Sequence, residues 1–143
     1  MIIQLDGKIL NSNAWNDNFF NYDYIGAPWQ EYSWLNKKLE AMKQNKEDLN
    51  FRVGNGGFSL RSKRLCEVVT KYGSDLWDGE NEDTFISLTL RDHLENEGIK
   101  FAPYEVAKQF SVERDVYDGQ FGAHKWIIKD NKKIDLRKNN ISF

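Results

Sequence analysis

The amino-acid sequence predicts an α/β domain with a mixed sheet and two or three helices. Short apolar or alternating runs, which are typical of strands, recur along the chain. Longer stretches instead repeat apolar residues at the helical spacing of i, i+3 or i+4 and i+7, with charged residues between them. The strand-like runs lie at 2–5, 58–61, 99–102 and 106–112, and the helix-like stretches lie at 32–49, 62–73 and 81–98.

The composition is that of one globular domain. Of 143 residues, 40% are hydrophobic and 29% charged, and five Trp, six Tyr and nine Phe make the chain rich in aromatic side chains. A formal net charge of −2 argues against nucleic acid or anionic membranes as partners. One cysteine excludes an internal disulfide, and the sequence contains neither a membrane-spanning apolar run nor a signal peptide. We therefore expect a soluble, cytoplasmic protein.

The chain begins with a strand-like run, Ile2–Leu5, which is predicted to be buried and to end at Asp6-Gly7. Open α/β sheets hold ligands at the carboxyl ends of their strands, although an ordinary Asp-Gly turn explains the same residues. Asn and Asp surround aromatic residues at 11–21, which predicts a loop or short helical turn. After Tyr24–Ala27, Pro28 limits further strand pairing.

The stretch 32–49 is predicted to be an amphipathic helix. Leu35, Leu39 and Met42 follow the helical spacing, and several lysines occupy the other positions. A solvated face explains these lysines, and a basic patch for an anionic ligand is the alternative.

The loop Val53–Gly57 feeds a strand-like run, Phe58–Arg61, whose side chains alternate in polarity. Its paired glycines allow a close backbone approach or a positive φ, so the loop is suited to line a site. A plain turn or bulge is the alternative.

Two helices follow this loop. Ser62 caps the first, which ends at Gly73, and the acidic run 81–84 opens the second, which ends at Gly98. Acidic residues in a first turn also suit the helix dipole.

The last part of the chain is predicted to contain strands. Two of them lie at 99–102 and 106–112, and a Lys-rich hairpin about Asp130-Asn131, or a frayed tail, completes the chain. We therefore divide the chain into a domain at 1–126 and a hairpin or tail at 127–143.

Several common catalytic motifs are absent from the sequence. It contains no Cys or His cluster with structural-zinc spacing, no Gly-x-Ser-x-Gly, no Walker motif and no Gly-x-Gly-x-x-Gly. These absences argue against most hydrolases, P-loop proteins and dehydrogenases.

Five features occur in an informative order between Gln4 and Trp126. They are Asp6, an Asp-Tyr-Ile-Gly-Ala-Pro-Trp block at 23–29, an Asn-Gly-Gly-Phe-Ser-Leu-Arg-Ser block at 55–62, Glu82-Asp83, and Phe-Gly-Ala-His at 121–124. This order resembles the C-terminal, acceptor half of GT-A-fold glycosyltransferases, and more narrowly an uncharacterised glycosyltransferase-like family with the same blocks. The resemblance implies that 1–126 is the glycosyltransferase-like domain.

The resemblance implies roles for the charged residues. Asp6 and His124 would hold Mn²⁺ or Mg²⁺ on the diphosphate of a nucleotide sugar, and the cation would offset charge on the departing phosphate. Asp83, or Glu82 beside it, would accept a proton from the attacking acceptor hydroxyl. Without the resemblance, His124 is more simply a surface or packed histidine.

The resemblance also implies a sugar site. Asn55, Gly56 and Gly57 would line the donor and acceptor sugars, because a missing Cβ allows close approach. Trp29 or Trp77 would stack on the apolar face of a sugar ring, although core packing explains each tryptophan equally simply.

The chain departs from the GT-A pattern in two respects. The usual Asp-x-Asp metal motif is Gln4-Leu5-Asp6 here, so one carboxylate is left. A chain that starts at Met1 also has no room for the nucleotide-binding half. We therefore expect the donor-binding half to be missing or supplied elsewhere, by a separate nucleotide-binding polypeptide or a homo-oligomer. The alternative is a non-catalytic carbohydrate-binding or assembly module derived from such a transferase.

Overall fold

Two three-stranded sheets and one hairpin organise the computed structural model, which describes residues 1–45 and 47–138. The first sheet is antiparallel and has the order β1 (Ile2–Ile3), β4 (Phe58–Arg61), β3 (Tyr24–Gly26). The second has the order β2 (Gly7–Ile9), β6 (Gly122–His124), β5 (Ser111–Glu113). It is mixed, since β2 runs antiparallel and β5 parallel to β6.

The C-terminal strands β7 (Trp126–Lys129) and β8 (Lys132–Asp135) form an antiparallel hairpin. Asp130 and Asn131 connect them with φ values of 50° and 59°, the left-handed pair that a tight two-residue hairpin turn requires. Residues 139–143, the end of the predicted hairpin or tail, lie outside the described residues.

Within residues 1–45 and 47–138, five α-helices accompany the sheets. The predicted α/β class with a mixed sheet is confirmed, but the predicted number of two or three helices is too low. The helices are α1 (Ser33–Ala41), α2 (Lys63–Leu76), α3 (Glu82–Thr84), α4 (Arg91–Asn96) and α5 (Tyr104–Phe110). The helix predicted at 81–98 is divided, because a π-helical segment at Phe85–Thr89 separates α3 from α4. Short 3₁₀ turns lie at Ser12–Ala14, Asp17–Asn21 and Leu49–Arg52. Within the described ranges, none of the helices has the length and apolar character needed to span a membrane.

The prediction of a strand at 106–112 is wrong for most of its length. Residues 104–110 form α5, and only Ser111–Glu113 are extended as β5. Ala107 and Phe110 are buried three positions apart, which is a helical spacing. The preceding Pro103, with a φ of −67°, suits a helix start.

The prediction of a buried first strand is also wrong. β1 contains only Ile2 and Ile3, which are 39% and 45% exposed, and Leu5 is fully exposed. β1 lies at the edge of its sheet and pairs only with β4 among the described strands. Gly7 begins β2 rather than ending a strand.

Two other predicted elements are shorter than expected. The helix predicted at 32–49 ends at Ala41, and Lys43 takes a left-handed backbone with a φ of 58°. Residue 46 lies outside the described residues. The strand predicted at 99–102 is reduced to one parallel bridge between Phe101 and Tyr24.

Aromatic packing joins the two sheets. Phe58 of β4 lies 5.5 Å from Phe110 and 5.9 Å from Phe121 between ring centroids. A Cβ on Gly122 of β6 would lie only 2.1 Å from the Phe58 ring, so the β6 backbone contacts that ring directly. This contact brings Gly57, just before β4, close to His124 at the end of β6.

Candidate functional site

His124 lies between two carboxylates. Its Nε2 is 2.9 Å from Asp6 Oδ1 and its Nδ1 is 2.9 Å from Glu113 Oε2. The imidazole is buried, at 2% exposure. A neutral imidazole donates from one nitrogen only, so the ring can donate to both carboxylates only as the imidazolium. The predicted metal residues Asp6 and His124 are therefore in direct contact, although 118 positions separate them along the chain.

Asp6, Glu113 and His124 form the histidine cluster, and Glu113 is the one of the three that was not predicted from the sequence as a site residue. It ends β5 and pairs in register with His124 on the neighbouring parallel strand. Its Oε1 lies 3.0 Å from Lys125 Nζ and 3.5 Å from Arg114 Nε, so a buried carboxylate has two cationic partners. The signal that identified Asp6, an acidic residue at a strand end, is also present at Glu113 after the apolar Val112.

The two cations beside Glu113 have an unusual backbone. Arg114 and Lys125 take φ values of 56° and 62°, a left-handed conformation that is uncommon for residues other than glycine. The Lys125 amide donates to the backbone oxygen of Asp6, and the Arg114 amide donates to that of Trp126. Such conformations cost energy and persist where surrounding contacts hold them.

The glycine loop packs directly against His124. A Cβ on Gly57 would lie 2.0 Å from His124 Cε1, so only glycine fits at this position. The buried Asn55 side chain accepts a hydrogen bond from the Gly57 amide at 3.1 Å and thereby holds the loop. The structure thus brings Asn55, Gly57 and His124 together.

Asp83 lies on the other side of the same loop. Its Oδ2 accepts a hydrogen bond from the Gly56 amide at 3.2 Å, and its Oδ1 accepts one from the Thr84 amide at 2.8 Å. A Cβ on Gly56 would lie 2.8 Å from Asp83 Cβ. Burial is the largest cause that raises the pKa of Asp83 above the usual 3.8, and the neighbouring Glu82 raises it further.

Glu82 differs from Asp83 in its surroundings. It is exposed, and its Oε1 lies 2.5 Å from Arg61 Nη2. Arg61 in turn donates to Ser59 Oγ, and the Ser59 hydroxyl donates to the backbone oxygen of Gly56. Glu82 therefore supports the loop through a chain of polar contacts.

Aromatic and charged side chains enclose a cleft of about 170 Å³ beside the loop. The lining residues are Trp29, Tyr32, Trp34, Asn55, Asn81, Asp83, Thr84, Glu113, Arg114 and Lys125. Trp29 also packs over Gly54, where a Cβ would lie 2.3 Å from the ring. Trp77 does not line the cleft; it is 58% exposed and donates from Nε1 to the backbone oxygen of Glu80.

Asp6 and His124 would hold a divalent cation only with His124 neutral, so that Nδ1 donates to Glu113 and an unprotonated Nε2 binds the ion instead of donating to Asp6. Among residues 1–45 and 47–138, no group of three or more His, Cys, Asp or Glu side chains is placed to hold a metal ion. Two adjacent protein ligands suffice for an ion that completes its coordination with substrate phosphates and water, as Mg²⁺ does in phosphate-transferring sites. Glu113 on Nδ1 matches the carboxylate that commonly orients a metal-binding histidine.

The cleft residues and the neighbouring pair Asp6 and His124, which does not itself line the cleft, supply three chemical functions. Asp83 is a buried carboxylate that can accept a proton. The pair formed by Asp6 and His124 can hold a cation, and the aromatic side chains can contact an apolar face of a ligand.

Comparisons with known proteins give a family match and no other. A family model described as "Protein of unknown function (DUF5672)" matches residues 1–124. No curated protein and no solved structure matches the chain. The matched segment contains Asp6, Gly57, Asp83, Glu113 and His124, so both sides of the glycine loop lie within it.

Proposed function

The chain belongs to the family of proteins of unknown function DUF5672, and from the site within the matched segment we propose that it is a GT-A-type glycosyltransferase domain. It would transfer a sugar from a nucleotide-sugar donor to a hydroxyl acceptor. The packing of Gly56 and Gly57 between Asp83 and His124 is the observation that carries the proposal. Asp83 and His124 fill the space beside these glycines, so Gly56 and Gly57 position the two side chains, and Asn55 is the loop residue that lines the cleft. This packing supports a site in which a carboxylate and a candidate cation-binding pair lie on either side of one loop.

In the proposed reaction, the acceptor oxygen forms a bond to the anomeric carbon of the donor sugar. The bond from that carbon to the diphosphate oxygen breaks, and the diphosphate leaves with the bonding electrons. Asp83 accepts the proton of the acceptor hydroxyl, because it lines the cleft and burial raises its pKa, which makes its carboxylate a stronger base. Glu82 is paired with Arg61 and acts as a positioning residue.

The residues around His124 act on the departing diphosphate. When bound to Asp6 and His124, Mn²⁺ or Mg²⁺ would supply positive charge to the departing diphosphate. Glu113 holds the imidazole through Nδ1 and leaves Nε2 directed at Asp6. Lys125 lines the same cleft and contributes a further positive charge.

Calorimetry with nucleotide sugars tests the proposal. We expect UDP- or GDP-sugars to bind in the presence of Mn²⁺ with a Kd of roughly 1 mM or below, and Asp6→Ala to weaken this binding. Asp17→Ala, which changes an exposed aspartate outside the cleft, is the matched control. If the folded protein binds none of the common UDP- or GDP-sugars, with or without metal, the chain is not a competent transferase.

The pH dependence of transfer is a second prediction. Because burial raises the pKa of Asp83 above the usual 3.8, the base is protonated at pH values where an exposed aspartate is ionised. We expect activity to fall as the pH is lowered through this raised pKa. Asp83→Asn should reduce the rate by about 10²–10⁴-fold and remove this acidic limb. An unchanged pH–rate profile in the variant would assign the base elsewhere.

A saccharide-binding module without transfer is the second candidate function. The aromatic side chains of Trp29, Tyr32 and Trp34 on one side of the cleft favour it, since such a surface binds sugars without any metal. Glycan-array hits that persist in EDTA, with no turnover of nucleotide sugar, would support this alternative. Loss of the hits on chelation would count against it.

A cytoplasmic location belongs to the same proposal. The exposed, free thiol of Cys66 suits a reducing compartment. Fractionation of cells that express the protein tests this location, and recovery outside the cytoplasm would contradict it.

A further inference from the structure

Trp34 is an exposed aromatic residue that its neighbours hold in place. It lies in the first turn of α1 and is 42% exposed. Its ring lies 5.4 Å from Trp29 in an edge-to-face arrangement and 6.0 Å from Tyr32 in a stacked one. Trp29 is itself fixed by its contact with Gly54. The Trp34 ring is therefore preorganised while part of its surface stays accessible.

Trp34 also lines a second cavity, here called the outer cavity, whereas the cleft beside the glycine loop is called the inner cleft. The outer cavity has a volume of about 460 Å³ and is lined by Trp34, Gly79, Glu80, Asn81 and Thr84. Trp34, Asn81 and Thr84 line the inner cleft as well. The outer cavity and the inner cleft therefore share these three residues in their linings.

The polar groups of this outer cavity suit a neutral ligand rich in hydroxyls. The Glu80 carboxylate pairs with Lys38 and accepts a hydrogen bond from Thr89, so its charge is compensated within the protein. Within the part of the chain that the structure describes, the Asn81 side chain makes no hydrogen bond. Its amide is therefore free to donate to and accept from a ligand hydroxyl.

We propose that the outer cavity is a second saccharide subsite with Trp34 as its stacking platform. An acceptor glycan of at least two sugar units would place one ring in the inner cleft and the next on Trp34. The aromatic face would cover the apolar C–H face of that second ring, and Asn81 would bind its hydroxyls. This inference rests on the proposed function, because it assumes that the inner cleft binds a sugar.

Saturation-transfer NMR and titration test the subsite on the full chain. The probes are methyl glycosides of glucose, galactose, mannose and N-acetylglucosamine, together with disaccharides built from the same sugars. We expect at least one disaccharide to bind roughly three- to tenfold more tightly than its constituent monosaccharides. Because Trp34 also lines the inner cleft, the effect is measured as the ratio of disaccharide to monosaccharide affinity within each variant. Trp34→Ala should remove the disaccharide gain, whereas Trp34→Tyr should retain part of it. Phe20→Ala, which changes another exposed aromatic residue outside both cavities, is the control.

The outcomes separate the subsite from the proposed function. If monosaccharides bind but no disaccharide binds more tightly, or if both Trp34 variants behave as wild type, the subsite is refuted and the sugar cleft stands. If the folded wild-type protein binds no sugar in the panel, the acceptor cleft is refuted and the subsite with it. Circular dichroism establishes that each variant is folded before its binding is interpreted.

Discussion

At the residue scale, the imidazole of His124 has a carboxylate on each nitrogen and a glycine against its edge. Asp6 and Glu113 are both 2.9 Å from the ring nitrogens, and Gly57 leaves no space for a side chain beside Cε1. Rotation of the ring would break both polar contacts. The direction of Nε2 is therefore set by groups from several separate parts of the chain.

Glu113→Gln tests the positioning of His124. The amide keeps the shape of the side chain but loses the negative charge that faces Nδ1, Lys125 and Arg114. We expect Mn²⁺ affinity, measured by electron paramagnetic resonance titration, to fall about 10–100-fold. Nitrogen-15 spectra of the metal-free variant should also show a changed protonation pattern at His124.

Glu67→Gln is the control for this prediction, since Glu67 is exposed and pairs with Lys63 in α2. Equal Mn²⁺ affinity in wild type and in folded Glu113→Gln would show that Glu113 does not position the ring for a metal.

Gly57→Ala tests the packing of the glycine loop. The added Cβ would lie 2.0 Å from His124 Cε1, so the loop or the ring must move. We expect the free energy of unfolding, measured by urea denaturation, to fall by about 1–3 kcal/mol or more.

Gly73→Ala provides the matched comparison in α2. The nearest atom to a Cβ there is Phe85 Cε1 at 4.0 Å, so the new methyl group fits. Alanine is favoured over glycine inside a helix, and we expect a gain of about 0.5–1 kcal/mol. A neutral Gly57→Ala would mean that the close approach to His124 is not a constraint.

At the element scale, one hydroxyl holds α2 against the first sheet. Ser62 Oγ accepts a hydrogen bond from the Leu65 amide at 3.0 Å, which caps α2, and donates to Asp23 Oδ1 at 2.6 Å. The other oxygen of Asp23 accepts from the Lys100 amide. The start of the helix, the residue before β3 and the segment at 99–102 are therefore joined through two side chains.

Ser62→Ala should destabilise the protein by about 1–3 kcal/mol, because it removes both a helix cap and a hydrogen bond to a carboxylate. Thermal unfolding measures the effect, and Ser62→Thr should restore most of it. Thr70→Ala in the same helix is the control, since the exposed Thr70 hydroxyl donates to the Cys66 carbonyl one turn earlier and caps no helix end. Equal losses at the two positions would contradict the capping role.

Secondary structure was predicted correctly where short-range sequence patterns determine it. It was predicted wrongly where contacts with distant residues determine it. Ser62 as the cap and Phe58–Arg61 as a strand follow from short-range patterns, and both are confirmed. Val106–Phe110 is short enough for its apolar residues to fit either a strand or a helix. Burial of Ala107 and Phe110 against the aromatic core decides for the helix.

At the scale of the whole molecule, the two sheets share one aromatic core. Phe58 from the first sheet and Phe121 beside the second belong to the same buried cluster, together with Phe110 of α5. Both sheets contact this one cluster, so loss of the cluster exposes apolar surface on both of them. The sheets are therefore expected to unfold together.

Phe58→Ala should lower the free energy of unfolding by about 3–5 kcal/mol. Tryptophan fluorescence and far-ultraviolet circular dichroism should report one shared denaturation midpoint in the wild type. Phe20→Ala, at a 66% exposed side chain, should change stability by less than about 1 kcal/mol. Two separate midpoints in the wild type would show that the sheets unfold independently.

The sequence predicted most of the residues around the glycine loop but not the strand pairing that brings them together. Asp6, Gly57, Asp83 and His124 were singled out from the order in which short sequence blocks follow one another, and the structure brings them around one loop. Glu113 was missed because its contact with His124 depends on the parallel register of β5 and β6. Nothing in the local sequence encodes that register.

The left-handed backbone at Arg114 and Lys125 has a consequence for engineering the protein. At these φ values, a residue with a Cβ has a strained backbone, whereas glycine adopts the same conformation with little strain. Glycine at either position would ease the main chain and at the same time remove one of the cations that balance Glu113. A glycine substitution chosen only to raise thermal stability would therefore remove a positive charge from the cleft. Arg114 and Lys125 should be kept in any stabilised version of the chain.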